Sequence, residues 1–199
     1  VHIPFAPHVP ITLRNLLTHT SAIRDRYNVW GTPSSDPTLY LHGDSPILLG
    51  QMMRSYYVPG AERYREGGNF YRRKPGTEYS YSNLAVALAG YVAEAASGVD
   101  FDKLCRDRIA KPLGMTDSGF RLADLSDTSN LAMPYHYNHY TGNLHPYFQY
   151  GYPDYPDGAF RTSALHLATW LGAFMNFGKI RGKQVLSRRA VEEIRRNQI

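Results

Sequence analysis

The sequence predicts a mostly helical chain with little strand. Two observations carry this reading. Apolar residues recur at steps of three and four behind capping side chains, at Thr12, Ser45, Ser82, Asp100, Ser163 and Ser187. Strand-like alternation is confined to one stretch, 132–160, crowded with Tyr, His, Pro and Gly. The 199 residues are enough for one sizeable core, and no repeat or low-complexity linker divides them.

The elements follow in order. Thr12 caps a first helix, Leu13-Arg14-Asn15-Leu16-Leu17, which runs into the polar turn Thr18-His19-Thr20-Ser21. A loop rich in Pro, Ser and Asp occupies 25–43. Ser45-Pro46 opens a second helix reaching about Tyr57, where Pro59-Gly60 stops it. The turn Lys74-Pro75-Gly76-Thr77 delivers the chain to Glu78-Tyr79-Ser80-Tyr81. Ser82 caps the strongest helix, with Leu84, Leu88, Tyr91 and Ala95 on one face and Ser97-Gly98 at its end. Asp100 caps the next, ending near Lys111-Pro112-Leu113-Gly114. Residues 136–140 and 144–149, joined by Thr141-Gly142-Asn143, read as a hairpin. Ser163 caps a helix to Phe177, stopped by Gly178, and Ser187 caps the last.

Composition narrows the function. At 43% hydrophobic and 20% charged, the chain has the balance of a soluble globular protein. The longest greasy stretch, 84–96, contains Glu94 and falls short of the roughly 20 residues of a membrane span, so no membrane span is expected. Cys105 is the only cysteine and reads as a small buried hydrophobe on a helix. The net charge of +5 gathers in 63–74 and 188–196, but Glu192 and Glu193 make the second cluster a solvated helix face. No recognition motif accompanies the charge, and no nucleic-acid partner is expected. The front, Val1-His2-Ile3-Pro4, carries neither an initiator Met nor a basic-then-apolar leader, and Asn197-Gln198-Ile199 closes a helical stretch without a C-cap. Both ends read as interior to a longer chain.

Four ordered stretches resemble one family. They are Ile11-Thr12-Leu13-Arg14-Asn15-Leu16-Leu17-Thr18-His19-Thr20-Ser21; Pro75-Gly76 followed by Tyr81-Ser82-Asn83 and an apolar helix ending in Ser97-Gly98; Ile109-Ala110-Lys111-Pro112-Leu113-Gly114-Met115-Thr116-Asp117-Ser118; and Pro156-Asp157-Gly158-Ala159-Phe160-Arg161-Thr162-Ser163, then a helix and Val185-Leu186-Ser187. Together they are similar to the β-lactamase-related serine hydrolases, which include class C β-lactamases, penicillin-binding proteins, DD-peptidases and esterases. The resemblance runs from about Pro10 to the C-terminal end. Ala22 departs from it, standing where the family usually has Gly. The resemblance implies an α+β fold of the DD-peptidase/β-lactamase type, an antiparallel sheet flanked by helices plus a helical lobe, with this chain supplying mostly the helical part. It leans toward a periplasmic or secreted setting, although nothing at the front of the chain fixes the compartment.

The family's chemistry is acyl transfer through a serine nucleophile, which is weak at neutral pH without a base beside it. A Ser-x-x-Lys places nucleophile and lysine one helical turn apart, a Tyr-x-Asn adds a phenol and an amide, and a Lys-Thr-Gly or His-x-Gly strand closes the site. By this resemblance Tyr81 shuttles the proton, and Asn83 holds the lysine and a carbonyl on the acyl side of the substrate. A free phenol with pKa about 10 is a poor base alone and needs ammonium charge nearby. Asp157 and Gly158 fall where the family's substrate wall lies and are weaker binding candidates. No serine in this chain has Lys three residues on, and no Lys-Thr-Gly or His-x-Gly is present. The chain therefore reads as residues 1–199 of a partial domain, lacking an upstream Ser-x-x-Lys and a downstream closing segment. The expected substrate is a β-lactam, a D-amino-acid peptide or a small ester, and the expected partner of the piece itself is the rest of its domain. A non-catalytic scaffold relative of the same fold is the alternative.

Other polar residues read as structural. His19 is expected to fix its turn, and 23–28 to line the substrate site. His136 and His139 would fall on opposite faces of a hairpin, with no Cys or carboxylate completing a ligand set around them and His145, so no metal is expected. No cofactor is implied. The aromatic stretch 135–155 fits either a binding platform or packing beneath the hairpin.

Overall fold

Helices and short antiparallel strand pairs alternate along the described residues, 1–26 and 41–198 of a computed structural model. Helix α1 is Leu13–Leu17. Thr12 starts it with a reciprocal cap: its hydroxyl accepts from the Asn15 amide at 3.1 Å, and the Asn15 side chain accepts from the Thr12 amide at 3.0 Å.

Helix α2, Leu49–Tyr57, begins later than Ser45-Pro46 predicts. The reason lies in Asp44, whose carboxylate accepts from the amides of Leu122 and Ala123 at 2.7 and 3.0 Å. That pins the preceding segment as a loop, and Ser45 turns inward to accept from the Ile47 amide. Leu49, Met52, Met53, Tyr56 and Tyr57 then fall on one buried stripe. A short helix α3, Glu66–Asn69, follows.

Helix α4, Asn83–Ser97, is the organising element. It packs on α1, on α2 and on a 3-10 turn at Tyr155–Asp157. Its first half is buried through Leu84, Ala85, Ala87 and Leu88, each large aliphatic contributing about 1.5–3 kcal/mol by leaving water. The predicted face stops short, because Ala95 is exposed where the last turn emerges into solvent. Gly98 ends the helix in the left-handed region, φ 69°, its amide reaching the Glu94 carbonyl.

Helix α5, Phe101–Cys105, does not use Asp100 as a cap. That carboxylate pairs with Lys103 at 2.5 Å, and the Asp102 amide, which it would have capped, donates instead to the Tyr155 hydroxyl at 3.3 Å. The helix widens into a π-turn over Arg106–Ala110 before continuing as α6, Lys111–Leu113. Pro112 accounts for the widening, since in a regular helix its ring would strike the carbonyl of Arg108.

Strands β1, Leu41–His42, and β4, Tyr150–Gly151, pair antiparallel. The hairpin forms between β2, Tyr135–Asn138, and β3, Asn143–Pro146, with His136 opposite His145. It turns earlier than predicted because the Asn138 side chain accepts from the amides of Tyr140 and Thr141, which takes His139 out of the strand. Helix α7, Ala164–Met175, is capped by Ser163 on the His166 amide. It stops before Phe177, which adopts φ 51° next to Gly178 at φ 83°. Strands β5, Lys179–Ile180, and β6, Lys183–Gln184, pair, and Ser187 caps α8, Arg188–Arg195. The fold is α+β with short antiparallel pairs and a predominantly helical body. Among the described residues no single helix is long and apolar enough to cross a membrane.

Candidate functional site

The site is built where segment 18–25 runs beside the entry to α4. Gly76 and Ser80 donate backbone hydrogen bonds to the carbonyls of Thr20 and His19, at 2.7 and 2.8 Å, and Tyr71 donates to Ala22 at 2.9 Å. To make these contacts His19 and Ala22 both adopt the left-handed region, φ 56° and 61°. At Ala22 this is the conformation a glycine would hold at less cost.

The first four amides of a helix have no partner within it. Here every one is answered by a side chain. The Ser82 amide donates to His19 Nδ1 at 3.2 Å. Those of Asn83 and Leu84 donate to the two oxygens of Asp25, at 2.7 and 3.2 Å. The Ala85 amide donates to Ser82 Oγ at 3.0 Å, and that hydroxyl in turn donates to Asp25 at 2.7 Å. Tyr57 ties the same turn from α2, donating its hydroxyl to the Leu84 carbonyl at 2.9 Å. With Nδ1 accepting, the His19 ring carries its proton on Nε2. The predicted structural role of His19 takes this form.

Tyr81 stands one residue before the cap. Its ring lies 4.4 Å from the His19 ring at a 35° tilt, and the residue is 58% exposed. Asn83 occupies the first helical position, half-buried, with no hydrogen bond to its side-chain amide among the described residues. The tripeptide thus presents a phenol and an amide unbonded among the described residues, from a backbone held at all four entry donors.

Asp157 and Gly158 sit beside α4, where Pro156 approaches so closely that a β-carbon on Gly90 would lie 2.7 Å from it. One Asp157 carboxyl oxygen is buried and unpaired, as is one on Asp154, which is 2% exposed. Burial raises both carboxyls well above the ordinary range, and the neighbouring Asp25 charge adds to the rise in each. Asp157 is thus directed inward, while Gly158 is exposed. Of the stretch 23–28, Ile23 is fully buried and bridges to Phe70, so it packs the core rather than lining a site. Tyr27 and Asn28 lie outside the described residues. Burial pushes the Cys105 thiol up to about 11, which keeps it from acting as a thiolate. Among the described residues no three His, Cys, Asp or Glu side chains are placed to hold a metal ion.

Sequence reasoning missed Asp25. Its only local signal is an acidic residue a few positions past the His-Thr-Ser turn, and its partners lie 57–59 residues on. The cap itself carries a testable load. Ser82→Ala removes one cap and one buried bond to a carboxylate, and is expected to lower stability by about 2 kcal/mol in urea unfolding. A loss under about 0.5 kcal/mol would show that Asp25 holds the turn unaided.

The family model described as beta-lactamase matches residues 2–198, and the chain belongs to that family. It is 30% identical over 118 residues to the D-alanyl-D-alanine-carboxypeptidase/endopeptidase AmpH of Escherichia coli, an overlap of 59% of this chain and 26% of that protein. It is 30% identical over 125 residues to the monacolin J acid methylbutanoyltransferase of Aspergillus terreus, covering 59% and 25%. The octameric penicillin-binding protein homologue from Pyrococcus abyssi superposes with a TM-score of 0.73 at 25% identity, over all of this chain and 41% of that one. The match therefore spans about a quarter of these curated relatives and under half of the archaeal structure.

Proposed function

We propose that this chain is the Tyr-x-Asn segment of a serine acyl hydrolase that works through an acyl-enzyme. Tyr81 moves the proton, and Asn83 holds the lysine of the nucleophile pair and a carbonyl of the acyl group. The observation that carries this is the pinned backbone at 82–85 presenting an accessible phenol and an amide unengaged among the described residues. Proton transfer depends on sub-ångström placement, which a fixed backbone supplies. The relatives point the same way, since a carboxypeptidase and an acyltransferase both move an acyl group, one to water and one to another acceptor. The substrate class is a β-lactam, a D-amino-acid peptide or a small ester, bound on the side of the motif where Gly158 is exposed.

The nucleophilic Ser-x-x-Lys and the closing Lys-Thr-Gly or His-x-Gly are absent from residues 1–199, and we assign them to chain outside this segment. The open face of α7 supports that assignment: Leu165 and Met175 are 80% and 77% exposed, and Leu167 and Leu171 stand beside them. An apolar helix face of that kind is normally covered by the rest of a domain. Residues 1–199 alone are then inactive. The test is labelling with a fluorescent penicillin and a fluorophosphonate. The longer parent is expected to label and the 199-residue chain is not. Labelling of the 199-residue chain would place the nucleophile within it. A parent that carries no such serine and does not label would be a scaffold protein.

A further inference from the structure

The carboxylate that grips the entry to α4 comes from far away in sequence. Asp25 accepts three hydrogen bonds there, from Ser82 Oγ, the Asn83 amide and the Leu84 amide, all between 2.7 and 3.2 Å. Helix α4 has no acidic residue in its own first turn, so Asp25 also supplies the negative charge that the positive end of the helix favours. Two further bonds fix the side from which Asp25 comes. The Arg24 amide donates to the Asn69 carbonyl at 2.9 Å, and the Tyr56 hydroxyl donates to the Arg24 carbonyl at 2.5 Å. Asp25 is thus a braced strut between α2, the 69–71 segment and the helix that carries Tyr81 and Asn83.

We propose that Asp25 is the positioning residue of the Tyr81–Asn83 pair: its carboxylate sets the rotation and height of the first turn of α4, and so the places of the phenol and the amide. This rests on the catalytic reading of Tyr81. Asp25 does not touch substrate in this role. Its charge is spent on two backbone amides and the Ser82 hydroxyl, which also removes the start of α4 as a binding site for an anionic substrate group.

The test uses the full-length protein and a chromogenic ester, p-nitrophenyl butyrate. Asp25→Asn keeps the shape but turns an NH2 toward a backbone donor, so at least one of the three bonds is lost. The expected result is a fall in kcat of about 10- to 100-fold with KM within about twofold. Asp44→Asn is the control, since Asp44 caps the 3-10 turn at Leu122–Asp124 by the same two-amide geometry. It is expected to leave kcat unchanged. Should Asp25→Asn fail to fold, Asp25→Glu, which keeps the charge but shifts the carboxylate by one methylene, is read by the same split. Unchanged kcat in the Asp25 variant, or an equal fall in the Asp44 variant, overturns the proposal. A Tyr81→Phe enzyme with full turnover would remove the catalytic reading beneath it, while loss in Tyr81→Phe with normal Asp25→Asn kinetics would overturn the Asp25 role alone.

Discussion

Tyr81→Phe in the full-length protein is expected to lower kcat by about 10²- to 10⁴-fold, the range for losing a positioned proton-transfer group. The substitution removes one oxygen and leaves the ring. The ring contact with His19 at 4.4 Å survives, as do all the backbone bonds of 82–85, none of which involves the phenol. Because Tyr81 is more than half exposed, the change in stability is expected to stay within about 0.5 kcal/mol. Turnover and stability therefore separate in this variant, which makes it a sharper test than any change to Asn83 or Ser82. The acylation step, followed by stopped flow with a chromogenic ester, is where the loss should appear. Full turnover in Tyr81→Phe would sink the assigned role, whatever the family.

The parts of this molecule that the sequence made legible are those whose causes are local. Thr12, Ser82, Ser163 and Ser187 all cap the helices predicted for them, because an N-cap needs only its own next three residues. Ser45 and Asp100 carry the same local signal and fail. Each lost to a tertiary partner: Asp44 is drawn to the turn at 122–124, and the Tyr155 hydroxyl takes the Asp102 amide that Asp100 would have capped. The motif Tyr81-Ser82-Asn83 could be read from its pattern, but not the way it is held. Asp25, His19 and Tyr57 reach it from 27 to 63 residues away, and nothing in their own neighbourhoods announces that. The family resemblance implied a place for Asp157 near a substrate wall, yet its carboxyl turns inward, a matter of packing against α4 that a motif does not register.

That inward turn carries the second large effect. Asp154 and Asp157 form a buried acid pair, and desolvation chiefly raises them, Asp154 to about 7 and Asp157 to about 9. Repulsion from Asp154 adds to the rise of Asp157, and the charge of Asp25 adds to both, so the titrations are linked. In the unfolded chain both lose their protons near pH 4. Between about pH 4 and pH 9 the native state therefore holds protons that the unfolded state has released. Stability must then fall as pH rises through that window, with the whole contribution present below about pH 4. Asp157→Asn imitates the protonated acid at nearly the same shape. It is expected to match the parent sequence near pH 3 and to be clearly the more stable of the two at pH 8. Urea unfolding of the 199-residue chain at the two pH values measures this directly, and taking the difference between variant and parent cancels the exposed carboxylates they share. Equal stability of the two at pH 8, or a variant weaker at both pH values, would mean that Asp157 is ionised in the native state. Its position beside α4 would then put a second full negative charge close to the Asp25 strut.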